Sequence, residues 1–164
     1  RGLGPHEPFA ECSRGQGIQH AVDHRWMVTP DFSSGNGPYG GLEPKLQCPL
    51  PAPSAGAIAT LYCALMIDQR LSDLQASGAI YIEGAFLKNP LLCQLVAQLR
   101  SEQPVYLSAD DTGTVQGALL LTRIDGSAAA SQSPSANLVL EACAPAQFNG
   151  LWEYRTHWYA LITQ

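Results

Sequence analysis

An α/β fold with parallel strands and crossover helices is predicted by the middle of this chain, where two hydrophobic periods alternate. Between residues 55 and 124 the pattern reads helix, strand, helix, strand, helix. Strands separated by a helix pair in parallel through a right-handed crossover, with the helices packed against the sheet. Ligands of such sheets bind beyond the carboxyl ends of the strands, so we expect a site near 83–89 and 109–113.

Residues 1–53 form a loop-rich opening segment. Weak helical character at 18–22 precedes a strand-like run at 26–29, which Pro30 ends. From 33 to 56, clusters of glycine and proline exclude a long regular element.

Residues 54–124 form the predicted core. Its first helix has Ser54 as the expected N-cap and should end before Gly78, and a short strand at 79–82 follows. The apolar residues that keep helical spacing along this helix are Ile58, Leu61, Tyr62, Leu65, Met66 and Leu74.

The second half of the core repeats this pattern. Asn89 is the expected N-cap of the next helix, and Pro90 occupies its first position, where a missing N–H costs nothing. That helix continues to about Arg100. A strand at 105–107 and a helix at 115–123 complete the core.

Residues 125–164 comprise a polar loop at 126–137, a short strand at 138–140 and a closing helix at 151–163. Aromatic side chains of the closing helix can pack against the sheet or anchor a homo-oligomer contact, and core packing is the better prediction. These side chains are Tyr154, Trp158 and Tyr159.

Composition and charge argue against some classes of binding partner. The net charge is -5, and no run of Lys or Arg occurs. Because binding to nucleic acid or an anionic membrane begins with a basic surface, neither is expected. Charged residues make up only 14% of the chain, well below the usual share, so we expect another domain or subunit to cover part of the surface. No signal peptide or membrane-spanning run is evident.

The five cysteines are widely spaced, odd in number and without a C-x-x-C pair. Cys63 and Cys93 fall in apolar helical patterns, where a thiol behaves as a small hydrophobe. We therefore expect reduced, structural thiols in a cytoplasmic protein. The residues that follow Arg1 resemble mid-chain sequence, so we interpret the chain as a fragment.

Other groups of polar residues do not form a readable catalytic or metal site. His20 and His24 have the spacing of two ligands on one helical face, but no third ligand accompanies them. Asp110 and Asp111 point apart in an extended chain and are expected to cap the following helix. The letters D-x-G-T at 111–114 precede a helix, so we assign them no phosphate role. No Ser-His-Asp or Cys-His set is present, and we assign no catalytic residue and no metal ligand.

The turn at 83–89, EGAFLKN, is the most informative stretch. Gly84 and Ala85 allow a flat ring or a phosphate to approach the backbone closely. The helix that begins after Asn89 is expected to present unpaired N–H groups and the positive end of its dipole. The turn therefore has the properties of a binding site for part of a nucleotide.

Taken in order, these motifs resemble the C-terminal domain of the FGGY carbohydrate kinases, which include glycerol, xylulose, ribulose, rhamnulose and fuculose kinases. The family's G-G-G/A-x-x-N/S turn is similar to residues 83–89. Its strand beginning PV and its A-x-G-A-A helix are similar to 104–105 and 115–119. Its v-P-x-f-x-G-x-x-x-P-y loop is similar to 28–39, and the likeness extends over about residues 26–164.

The resemblance implies that residues 1–164 are part of a ribonuclease-H-like (actin-like ATPase) domain, with 54–124 as its nucleotide-binding core. It also implies that ATP with Mg2+ binds in the complete enzyme, in a cleft between two such domains. The residues that it places at the adenosine end of ATP are Gly84, Ala85, Asn89 and, near the same pocket, Gly113.

One residue departs from the family pattern. The first glycine of the motif is Glu83 here, whose carboxylate can accept a bond from ribose or adenine or can crowd the site. The family's catalytic aspartate would precede Arg1, and its phosphate hairpin and sugar contacts belong largely to the N-terminal domain. We therefore expect the ATP-binding side of a cytoplasmic kinase that phosphorylates a sugar or polyol and requires its N-terminal domain as partner.

Two other interpretations stay open. A non-catalytic regulatory or assembly module would keep the kinase fold without its chemistry, and Glu83 is the feature that favours it. A different ATPase-type α/β domain would share only the adenosine turn.

Overall fold

The structure, a computed structural model, describes residues 11–32, 35, 38–50, 52, 54–108 and 140–163. The chain divides into two compact units. The first combines Arg1–Gln75 with Ala146–Gln164, and the second is Ala76–Pro145.

The first unit contains three helices and a two-stranded antiparallel sheet in its described part. The strands pair with Met27 opposite Gln47 and Thr29 opposite Lys45, so a strand of 3 residues lies inside the loop-rich segment. The elements are α1 (Glu11–Asp23), β1 (Met27–Thr29), β2 (Lys45–Gln47), α2 (Ala55–Asp73) and α4 (Leu151–Ile162).

The closing helix α4 packs Tyr154 and Trp158 into the core of the first unit, as predicted, whereas Tyr159 is half-buried. Trp158 is fully buried and Tyr154 is 2% exposed. Buried indole and phenol groups need hydrogen-bond acceptors. Trp158 Nε1 donates to the carbonyl of Val28 at 2.7 Å, and Tyr154 Oη donates to the carbonyl of Trp26 at 2.7 Å. These two bonds fix α4 against β1.

Helix α2 begins where the sequence predicts and ends before Gly78, as predicted, but its N-cap and its last expected apolar residue differ from the prediction. Ser54 is at the N-cap position with φ 55° and makes no side-chain capping bond. The helix ends at Asp73, so Leu74 is 77% exposed instead of continuing the apolar face. Cys63 is exposed as well, contrary to the prediction that it packs as a small hydrophobe. The confirmed buried positions on this face are Ile58, Leu61 and Leu65.

A buried ion pair that the sequence did not reveal connects α2 with α4. Asp68 is 1% exposed, and Arg155 Nε donates to its Oδ2 at 2.5 Å. A carboxylate removed from water is stabilised only by such a partner and by hydrogen bonds. The pair therefore fixes which faces of the two helices meet.

A second arginine of α2 holds the preceding loop. Arg70 Nη2 donates to Tyr39 Oη at 2.9 Å, and the guanidinium carbon lies 4.9 Å from the centre of the Tyr39 ring. Arg70 also pairs with Asp73 at 2.6 Å, where both side chains are partly exposed.

The second unit confirms the predicted crossover. Strand β3 (Ile80–Ile82) and strand β4 (Val105–Ser108) pair in parallel, and α3 (Pro90–Leu99) lies between them in the chain. Strand β5 (Leu140–Ala142) is antiparallel to β4, so the sheet is mixed rather than purely parallel. The strand predicted at 138–140 overlaps β5 at Leu140, and residues 138–139 lie outside the described part of the chain.

Gln103 forms hydrogen bonds with the segment that leads into β3. Its Nε2 donates to the carbonyls of Ala76 at 3.1 Å and Gly78 at 2.7 Å. The amide of Ile80 then donates to the carbonyl of Pro104 at 2.9 Å. These bonds hold the start of β3 against the start of β4.

The predicted helix at 115–123, Asp110 and Asp111, and the letters at 111–114 lie outside the described residues. Within the described part of the chain, no helix has the length and apolar character needed to cross a membrane. The cysteines described there as free thiols are Cys48, Cys63, Cys93 and Cys143.

Replacing Arg155 by methionine should destabilise the first unit by about 3 kcal/mol, because the Asp68 carboxylate would stay buried without its cation. The matched control is Asp73→Asn, which removes the charge from the exposed pair with Arg70 and should cost at most about 1 kcal/mol. Urea unfolding of both variants measures the two changes. If both variants lost the same free energy of unfolding, the buried pair would contribute no more to stability than the exposed pair.

Burial raises the pKa of Tyr154 well above its usual value. Above about pH 10 the unfolded chain therefore releases this proton while the folded chain retains it, so stability falls as pH rises. We expect a loss of about 1.4 kcal/mol per pH unit beyond that point from this one group. Tyr154→Phe should start less stable but decline less steeply between about pH 9 and 11, as measured by chemical denaturation at each pH. If the stability of the native chain and of the variant fell equally steeply with pH, this prediction would be wrong.

Candidate functional site

The carboxyl ends of β3 and β4 lie side by side. Ile82 is opposite Leu107 in the parallel register, so the residues that follow each strand emerge at one edge of the sheet. Loops at this edge are where ligands of parallel sheets bind. The turn after β3 is described in full, and it contains most of the predicted site residues.

Gly84 is the residue whose backbone requires glycine in this turn. Its φ is +67°, in the left-handed region, and a Cβ added there would have no heavy atom within 4 Å. The requirement is therefore conformational, and the space beside Gly84 is open. Glu83 has φ −137° and ψ 170°, an extended conformation that any residue adopts. The glutamate is thus compatible with the shape of the turn.

A single 3₁₀ turn (Gly84–Lys88) connects β3 to α3. The carbonyl of Phe86 accepts from the amide of Asn89 at 3.0 Å and from Cys93 Sγ at 3.5 Å. Cys93 is buried, and burial raises the pKa of its thiol, which keeps the proton on sulfur for this bond. The backbone of the turn is therefore fixed to the body of α3.

Asn89 caps α3, as predicted, with Pro90 in the first helical turn. Its Oδ1 accepts from the amide of Leu92 at 3.3 Å. Its carbonyl accepts from the same amide at 3.0 Å and from that of Cys93 at 3.3 Å. Pro90, in the first helical position, has no N–H to offer.

This arrangement corrects our expectation that the start of α3 presents several unpaired N–H groups. Proline and the asparagine cap together remove most of the donors that a phosphate would need. A neutral part of a ligand is better suited to the turn than a phosphate is.

Gly84 and Ala85 are exposed and Asn89 is half-buried, so the structure brings three predicted site residues together at one accessible turn. Gly113 lies outside the described residues. Sequence reasoning passed over Phe86, a large aromatic side chain that is 51% exposed in the same turn. The signal that would have found it is an aromatic residue between the motif glycine and the helix cap.

The histidines form a small aromatic cluster on the first unit. The rings of His20 and His24 are 4.1 Å apart between centroids, and both contact the ring of Trp26. His24 Nδ1 is 2.9 Å from the carbonyl of His20. No group of three or more potential metal ligands occurs among the residues that the structure describes.

A parallel β-α-β unit with a left-handed glycine two residues after its first strand and a capped helix after that glycine defines an α/β domain. The model of the carbohydrate kinase FGGY C-terminal domain matches residues 6–132. The chain therefore belongs to the FGGY carbohydrate kinase family, as a C-terminal domain.

A solved structure supports the fold. The chain is similar to a carbohydrate kinase from Novosphingobium aromaticivorans, with a TM-score of 0.68 and 23% sequence identity over 93% of this chain. The chain spans 31% of the length of that kinase. A search of curated proteins found no match.

Replacing Gly84 by alanine should destabilise the second unit by about 1–2 kcal/mol, because a side chain disfavours the left-handed conformation. Gly78→Ala is the matched control, since a methyl group at Gly78 would also meet open space but its φ is not positive. The control should stay within about 1 kcal/mol of the native chain or gain stability. Thermal unfolding followed by circular dichroism compares them, and equal effects would show that the φ of Gly84 does not matter.

Proposed function

We propose that this chain is the ATP-binding portion of a sugar or polyol kinase that transfers the γ-phosphate of ATP to a carbohydrate hydroxyl. We further propose that its fold is ribonuclease-H-like and that its activity requires an N-terminal kinase domain. The observation that carries the proposal is the turn at 83–89, which joins a left-handed glycine to a capped helix at the carboxyl edge of a parallel strand pair. Membership of the FGGY family supports it.

In this proposal Gly84, Ala85 and Asn89 contact the adenosine end of ATP, and Gly113 lies near the same pocket. The open space at Gly84 allows a sugar or a base to approach the backbone. The capping bond to Leu92 fixes the side chain of Asn89 in place. The shortage of amide donors at the start of α3 favours the nucleoside over the phosphates at this turn.

The phosphates, Mg2+ and the sugar or polyol are then held mainly by the N-terminal domain. Phosphoryl transfer depends on positioning and charge stabilisation around the transferred group, which one wall of a cleft does not supply. For this reason we assign no catalytic residue in the chain. Free thiols among the described residues and the use of ATP are consistent with a cytoplasmic enzyme.

A non-catalytic regulatory or assembly module is the second candidate, because Glu83 places a carboxylate where the family motif has glycine. The extended backbone at Glu83 weakens this candidate, since the turn keeps its shape with a glutamate there. The two candidate functions therefore differ in whether the full-length protein turns over ATP, not in whether the turn folds.

The full-length protein, including its N-terminal domain, should release ADP from Mg-ATP in the presence of one member of a panel of sugars and polyols. Residues 1–164 alone should release none, because the other wall of the cleft is missing. A coupled ADP assay and calorimetry with ADP measure turnover and binding. Turnover by residues 1–164 alone, or a full-length protein that binds no ADP, would overturn the proposal.

The control for the turn is a pair of variants in the full-length protein. Asn89→Asp keeps an oxygen that can cap α3, whereas Asn89→Ala removes it. Both should weaken ADP binding, and only Asn89→Ala should also lower stability, by about 1 kcal/mol. If Asn89→Asp binds ADP as the native protein does, Asn89 serves the helix alone. ADP binding without turnover on any acceptor would favour the non-catalytic module.

A further inference from the structure

Three side chains of the turn share a spacing of three residues: Glu83, Phe86 and Asn89. They begin, occupy and end the 3₁₀ turn. Glu83 is extended, Gly84 is left-handed and Asn89 is also non-helical, so the three residues share one short turn rather than one helical face. This turn carries a carboxylate, an aromatic ring and an amide, and it includes the open space at Gly84.

The backbone of Phe86 is fixed within this turn. Its ring is 51% exposed, and its carbonyl accepts one bond from the amide of Asn89 and one from Cys93 Sγ. A single exposed aromatic residue is common on protein surfaces. This ring, however, lies on a fixed turn within two residues of the glycine gap, where a flat base can stack against it. Stacking on an aromatic ring does not depend on the identity of the base.

Glu83 supplies the complementary chemistry. It is exposed, and a carboxylate only accepts hydrogen bonds, so it binds hydroxyl or amine donors and repels phosphate. The hydroxyl pair of a ribose is such a donor set, and acidic residues at strand ends recognise it in other α/β proteins. The asparagine cap and Pro90 independently disfavour phosphate at the same turn.

We propose that Glu83 accepts hydrogen bonds from the ribose hydroxyls of the nucleotide and that Phe86 stacks on its base. Glu83 then makes the site selective for ribonucleotides over deoxyribonucleotides, and Phe86 contributes affinity without selecting a sugar. The inference rests on the proposed function and adds the two residues that determine how the nucleoside is recognised.

The test is calorimetric binding of ADP, 2′-deoxyADP and 3′-deoxyADP to the full-length protein. ADP should bind about tenfold or more tightly than at least one of the deoxy forms, because a hydrogen bond to a charged group is lost. Glu83→Gly should abolish this preference while deoxy binding stays unchanged. Phe86→Leu should weaken all three nucleotides by about tenfold and leave their ratios unchanged.

Glu102→Gln is the matched control, because Glu102 is an exposed glutamate beyond the opposite end of α3. It should leave both affinity and preference unchanged. Equal binding of ADP and both deoxy forms to the native protein overturns the inference without requiring any variant, and the proposed function stands. Tighter ADP binding by Glu83→Gly also overturns it, since the carboxylate would then obstruct the site. A native protein that binds no ADP overturns the proposed function instead.

Discussion

The parallel pairing of β3 with β4 is the constraint on which the candidate site depends. It brings the ends of two strands that are distant in the chain to one edge, with Ile82 opposite Leu107. Gln103 fastens the start of β3, and α3 supplies the crossover that a parallel pair needs. Without this pairing, the turn at 83–89 would be an ordinary connection between a strand and a helix.

The electrostatic character of the turn follows from three of its residues. Pro90 removes one amide donor, Asn89 occupies another, and Glu83 adds a negative charge. Each disfavours a phosphate, whereas many nucleotide sites use a helix start to bind one. The combination favours an uncharged part of a ligand. In the proposed function, the turn therefore contacts the nucleoside, and the N-terminal domain holds the phosphates.

Local signals in the sequence predicted the local structure well. The Asn-Pro start of α3, the strand at 105–107 and the aromatic core face of α4 were all predicted, because caps, prolines and apolar spacing act over a few residues. The parallel pairing of β3 with β4 was predicted from the strand–helix–strand order, but other pairings between distant residues were not. The antiparallel direction of β5 depends on its partner β4, and the Asp68–Arg155 pair joins positions 87 residues apart. No pattern within either helix marks those two residues as partners.

The candidate site was predictable to the same extent. Its location followed from the strand–turn–helix order, but its chemistry depends on the conformation of individual residues. Of the first two motif positions, the second has a positive φ and requires glycine, whereas the first is extended and accepts a glutamate. A sequence motif gives both positions the same letter and so hides this difference. The glutamate at position 83 therefore adds a carboxylate to the turn while the backbone keeps a conformation that any residue adopts.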